Sequence, residues 1–150
     1  MKIYIASDHA GEERKKEIIK YLNENNIEVL TIPLENNSTD DYPKFAFMLC
    51  SKVVKEKTLG LLICGNGIGM SIAANKVKGI RAARCCSVDD AFKAKNHNGA
   101  NVITIGANLD LELSKEIIDS FLVTKDPNEE RHLRRVNEII TYENGDINEL

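Results

Sequence analysis

The chain of 150 residues is 43% hydrophobic and 29% charged, with 9 Gly and 3 Pro, which excludes a disordered or collagen-like polymer. A net charge of −3, no Trp and 5% aromatic residues argue against nucleic-acid binding, which needs a basic footprint and stacking platforms. No stretch approaches the ~18 apolar residues of a membrane span, and the opening Ile3-Tyr4-Ile5-Ala6 is too short for a secretion signal.

Apolar runs of strand length alternate with stretches of helical period. Residues 3–6 form the first predicted strand. Residues 11–25 then place Ile18, Ile19 and Leu22 on one helical face. A second strand over 27–32 ends at Pro33, and a helix over 43–57 carries Phe45, Leu49 and Val53 at i, i+4 and i+8. Pro43 suits its first turn, where the missing N–H costs nothing. Residues 59–64, Leu-Gly-Leu-Leu-Ile-Cys, read as a parallel strand covered on both faces. A glycine loop and a helix reaching residue 77 follow. Strands over 80–83 and 102–105 flank a helix over 87–96. Helices over 111–123 and about 128–142 precede a polar tail, 143–150.

This alternation predicts one α/β domain over residues 1–150, a three-layer α/β/α Rossmann-like fold on a five-stranded parallel sheet. Ligands in such folds bind beyond the carboxyl ends of the strands. That rule selects residues 7–9, 64–69 and the region from Cys85 onward, and predicts that they meet in one cleft.

Cys64-Gly65-Asn66-Gly67-Ile68-Gly69-Met70-Ser71 is the most informative segment. Alternating glycines expose backbone N–H groups ahead of a helix, an environment that attracts phosphate or a developing oxyanion. A thiol beside such an end should lose its proton more readily. The residues alone equally allow a plain strand-to-helix turn with Cys64 as a small core side chain. A dinucleotide fingerprint would need glycine at Met70. A cysteine-phosphatase loop would want arginine at that same position.

Asp8 and His9 follow the first strand, where Asp8 could also cap a helix. His97 ends a helix, where a cation favours the dipole. His9, His97 and His132 have no metal-ligand spacing with Cys50, Cys64, Cys85 and Cys86, which excludes a zinc site. The four thiols are expected free, in a reducing cytoplasm. Arg131, Arg134 and Arg135 fall at i, i+3 and i+4, opposite Leu133, Val136 and Ile140. They form either a solvated basic face or a phosphate clamp aimed at a neighbouring subunit.

Together these stretches resemble the type B ribose-5-phosphate isomerases and the related galactose-6-phosphate isomerase subunits. The matching motifs are Ser7-Asp8-His9-Ala10-Gly11, Asp41-Tyr42-Pro43, Cys64-Gly-x-Gly-x-Gly, Asn75-Lys76, Gly79-Ile-Arg81-Ala82, His97-Asn98 and Arg131-His132-x-x-Arg135. The resemblance implies an aldose–ketose isomerase of a sugar phosphate, working through a cis-enediol(ate) without metal or organic cofactor. Cys64 would be the base, assisted by Asp8, His97 and Asn66. His9, Tyr42, Gly65, Gly67, Ile68, Gly69, Asn98, Arg131 and Arg135 would hold the substrate and its phosphate, in a site shared across a homodimer, with a tetramer also open. Asn66 stands where the family usually has Thr or Ser, and Asn108 where many members carry Arg. These departures leave open a 6-phosphohexose in place of ribose 5-phosphate. A non-catalytic phosphosugar-binding domain is the alternative from another class.

Overall fold

The unbroken apolar run at residues 59–64 becomes the middle strand of the sheet, and its last five residues are buried. The computed structural model describes residues 1–149; the end of the expected polar tail, Leu150, lies outside the described residues. In chain order the elements are β1 (Lys2–Ser7), a 3₁₀ turn (His9–Gly11), α1 (Glu12–Glu24), β2 (Glu28–Thr31), α2 (Tyr42–Glu56), β3 (Leu59–Cys64) and α3 (Ile68–Ala74). Then follow β4 (Ala82–Arg84), α4 (Val88–Asn96), β5 (Val102–Gly106), α5 (Leu111–Val123), α6 (Glu130–Glu143) and a 3₁₀ turn (Ile147–Glu149).

All strand pairs are parallel and the order is β2-β1-β3-β5-β4. The chain steps outward from β1 to β2 and then crosses back to β3. The carboxyl ends of β1 and β3 therefore flank the point where strand order reverses, where this architecture places ligands.

Alternating strand residues feed two cores. Ile3, Ile5, Leu61, Ile63, Ile103 and Ile105 pack with Ile18 and Leu22 of α1, Ala91 of α4 and Ile117 and Phe121 of α5. On the other face, Tyr4, Ala6, Leu62, Cys64 and Val102 pack with Phe45, Leu49 and Val53 of α2 and Met70 and Ala74 of α3.

Three expectations are corrected. The helix expected to reach residue 77 stops at Ala74. There Asn75 turns the chain: its Nδ2 donates to the Ser71 carbonyl at 3.0 Å, and its Oδ1 accepts the Ala82 N–H at 2.8 Å. The fourth strand begins at Ala82 because the Ile80 N–H closes a turn on the Val77 carbonyl at 3.1 Å. In α6 the expected packing side of Leu133, Val136 and Ile140 is covered only at Val136. His132 is the other buried position, and Leu133 remains 43% exposed.

Candidate active site

Cys64 is the last residue of β3 and pairs in register with Gly106 of β5. Beyond it the chain must turn from strand to helix within three residues, and hydrogen bonds fix that turn. The Gly67 N–H donates to the Cys64 Sγ at 3.1 Å, and the Thr104 hydroxyl donates to the Gly67 carbonyl at 2.7 Å. Gly67 has φ +80°, and a Cβ there would lie 3.0 Å from the Ile105 carbonyl carbon, so both backbone and space demand glycine. A Cβ on Gly69 would lie 2.7 Å from the Tyr42 ring, which uses the gap. A Cβ on Gly65 would meet nothing within 4 Å, so the loop is open there.

The exposed Asn66 braces the turn, its Oδ1 accepting the Ile68 N–H at 3.0 Å. Its carbonyl accepts the Arg84 Nε–H at 2.8 Å. The Cys64 sulfur-bearing residue is 5% exposed, just below this loop. Cys50 and Cys85 are of another kind. Both are sealed in the cores, and burial pushes each thiol up to about 12. All four cysteines are free.

Asp8 comes from the neighbouring strand end. Ser7 pairs with Ile63, which brings Asp8 level with Cys64. A Cβ on Gly11 would lie 2.7 Å from the Ile63 carbonyl oxygen, so glycine lets this turn close against β3. Asp8 caps the turn, accepting the Gly11 N–H at 3.2 Å, and burial raises its carboxyl above the ordinary value. The cap and a chemical role are thus compatible.

His9 is held by a residue that the sequence did not single out. Asp40 Oδ1 accepts the His9 N–H at 3.0 Å and lies 2.6 Å from Nδ1 of the ring. That bond raises the imidazole above its usual value. Burial would push the Asp40 carboxyl up, but hydrogen bonds from Asn36, His9 and Asn37 outweigh it and hold it at about 2. No local pattern marks Asp40, because its partner is 31 positions away.

The remaining expected site residues lie elsewhere. His97 follows α4 and precedes β5, at the amino end of the sheet. The five residues of β5, at ~3.3 Å each, separate that end from the Cys64 end by roughly 16 Å. There His97 stacks on His132, with centroids 4.2 Å apart and planes 12° off parallel, and Phe92 meets its ring edge-on. Burial and the neighbouring His97 lower the pKa of His132, and its Nε2 has no hydrogen-bond partner among the described residues. Arg81 Nε donates to the carbonyls of Asn98 and Gly99 at 3.2 and 3.0 Å, shaping the turn after His97. Arg131 and Arg135 are exposed on α6 above it; Arg131 pairs with Glu129 at 2.8 Å, and Arg135 has no ion pair among the described residues. A groove of about 680 Å³ opens beside Asn98, lined by Arg81 and by Ile139 and Tyr142 of α6.

The expectation of one cleft is therefore half met. Asp8, His9, Tyr42 and the loop from Cys64 through Gly65, Asn66, Gly67 and Ile68 to Gly69 gather at the carboxyl edge. His97, Asn98, Arg131 and Arg135 form a second cluster at the amino edge. The region from Cys85 onward does not join the first, because β4 is an edge strand beyond β5 and the Cys85 side chain turns into the core. Arg84 is the residue of that strand end that reaches the loop.

A parallel α/β sheet with a cysteine, a glycine loop and an acid–histidine pair at its reversal point has the build of an enzyme acting on a small anionic substrate. Residues 3–139 match the family described as Ribose/Galactose Isomerase. The "Probable ribose-5-phosphate isomerase B" of Mycoplasma pneumoniae is 41% identical, over 94% of both chains. The structure of Clostridium thermocellum ribose-5-phosphate isomerase B superposes with a TM-score of 0.91 at 38% identity, covering 97% of this chain and 99% of that one. That of Mycoplasma genitalium ribose-5-phosphate isomerase B with bound ribulose-5-phosphate gives 0.88 at 40% identity, covering 95% and 96%. The chain belongs to the ribose/galactose isomerase family. It is an isomerase.

Proposed function

We propose that the chain interconverts ribose 5-phosphate and ribulose 5-phosphate in sites shared between two copies. The observation that carries this is its likeness, at 40% identity over 95% of its length, to a structure holding ribulose-5-phosphate. The placement of Cys64, Asp8 and His9 around an open loop supports it.

In this reading Asp8 and His97 assist opening of the sugar ring, and the Cys64 thiolate takes the proton from C2. The C2–H electron pair becomes the C1–C2 double bond, while the carbonyl pair moves onto O1. The N–H groups of residues 65–69 stabilise that developing charge. The proton on sulfur then returns to C1 while the O2 hydroxyl proton passes to O1 and C2=O2 forms, leaving the ketose with a hydroxyl on C1. His9 binds the phosphate together with Arg131 and Arg135, whose guanidinium forks fit its oxygens.

Within one chain His97 and both arginines stand at the wrong edge of the sheet for this task. A second copy supplying its amino-edge cluster to the Cys64 edge resolves that, in a homodimer or a larger assembly of such pairs.

A 6-phosphohexose is the second reading. The Asn108 side chain folds back on Gly106, beside Asn66, so no long cation at that position fills the space next to the loop. Steady-state rates on the 5-phosphate of ribose and the 6-phosphates of allose and galactose decide between them. The first reading expects the highest kcat/KM on ribose 5-phosphate. Absence of its turnover, with activity on either hexose phosphate, would establish the second.

A further inference from the structure

The most heavily bonded charge at the carboxyl edge is Asp40, in the loop between β2 and α2. Its side chain is 5% exposed, whereas that of His9 is 47% exposed. One carboxylate oxygen accepts the backbone N–H and faces Nδ1 of His9, at 3.0 and 2.6 Å. The other accepts Asn36 Nδ2 at 3.0 Å and the Asn37 N–H at 3.2 Å. Asn36 Nδ2 also donates to the Ser7 carbonyl at 2.6 Å, and the Lys15 ammonium of α1 donates to Asn36 Oδ1 at 2.6 Å. The loop is thus stitched to β1 and α1 at the point where His9 emerges.

A buried acid saturated with donors on both oxygens is poorly arranged to meet a ligand. It is well arranged to aim an exposed ring. Asp40 accepts from Nδ1, so the neutral ring keeps its proton there, and protonation adds an N–H at Nε2 on the far side of the ring. We propose that Asp40 is a positioning residue that presents His9 to the substrate phosphate as a fixed, cationic donor, with Asn36 and Lys15 bracing it.

The charged groups facing His9 agree with this role. Asp40 and Asp8 both favour the imidazolium, and Lys15 is linked to Asp40 through Asn36, with Glu12 near it on the same helix. The inference rests on the assignment of His9 to the phosphate, so its test separates the two.

The test combines steady-state kinetics on ribose 5-phosphate with an NMR pH titration of the His9 ring. In the unmodified protein His9 should titrate above an ordinary imidazole and carry its proton on Nδ1 when neutral. Asp40→Asn should bring the titration back toward the ordinary value. It should raise KM about tenfold, the loss expected when a bond to a charged group is weakened, with kcat within about twofold. The rise should steepen as pH increases. An unshifted His9 in the unmodified protein overturns the proposal whether or not the variant folds. So does a KM in Asp40→Asn equal to that of the unmodified protein while His9→Ala raises it. If His9→Ala itself leaves KM unchanged, the phosphate assignment fails, and the role given to Asp40 fails with it.

Discussion

Cys64 and His97, assigned to one reaction, stand at opposite ends of β5: Cys64 pairs with Gly106 at its carboxyl end, and His97 precedes Val102 at its amino end. No side-chain rotation spans a separation of roughly 16 Å. The relationship makes a clean prediction. Cys64→Ala and His97→Ala, each nearly inactive alone, should recover activity when unfolded together and refolded. Random pairing makes half the dimers mixed, and each mixed dimer has one intact site of two, so recovery should approach about one quarter of the unmodified rate. A mixture no more active than its parents contradicts the shared site.

The three loop glycines should separate by function. Gly67→Ala places a side chain at φ +80° and against β5, and should lose about 1–3 kcal/mol of stability. Gly69→Ala drives into the Tyr42 ring and should cost a similar ~1–3 kcal/mol. Gly65→Ala meets no atom of the chain within 4 Å. Its melting temperature should hardly move, a change within ~0.5 kcal/mol. Its kcat/KM should still fall by between about tenfold and a hundredfold, because the new methyl displaces the substrate. Denaturant melts and kinetics on the three variants check this. Full activity in Gly65→Ala would show that the open side of the loop faces no substrate.

Stability should report the His9–Asp40 pair through pH. Asp40 is depressed from 3.8 to about 2 in the folded state. Its contribution is therefore present above 3.8 and lost as pH falls toward 2. His9 is raised from 6.5, so its contribution is complete below 6.5 and lost as pH rises through the folded value. Both operate together between about pH 4 and 6.5. The melting-temperature gap between the unmodified protein and Asp40→Asn should be widest near pH 5, and should narrow toward about pH 2 and as pH rises well above 6.5. An equal gap at pH 5 and 9 would mean that the pair is electrostatically idle.

Much of this was legible because local signals agreed. The bounds of β3 and α5 follow the sequence closely: one is an unbroken apolar run, and the other opens on Asp110, whose carboxylate accepts the Leu113 N–H at 3.1 Å. The glycine loop announced itself by composition. What stayed hidden depends on distant pairing. Asp40 lies in an aperiodic loop and gains meaning only beside His9, and Arg84 only where β4 passes β5 to reach Asn66. The covered part of α6 was only partly readable: Leu133, Val136, Ile139 and Ile140 share one apolar stripe, yet only Val136 of the four is buried. The stack of His132 on His97 decides which side is buried.

The central claim is that Cys64 carries the proton between the two sugar carbons. The measurement that tests it most directly is the turnover of Cys64→Ala at saturating ribose 5-phosphate, alongside the affinity of the same variant for that sugar phosphate. Loss of a general base should lower kcat by about 10²–10⁴-fold while binding stays within a few-fold of the unmodified protein. A variant that keeps most of its turnover would show that some other group moves the proton.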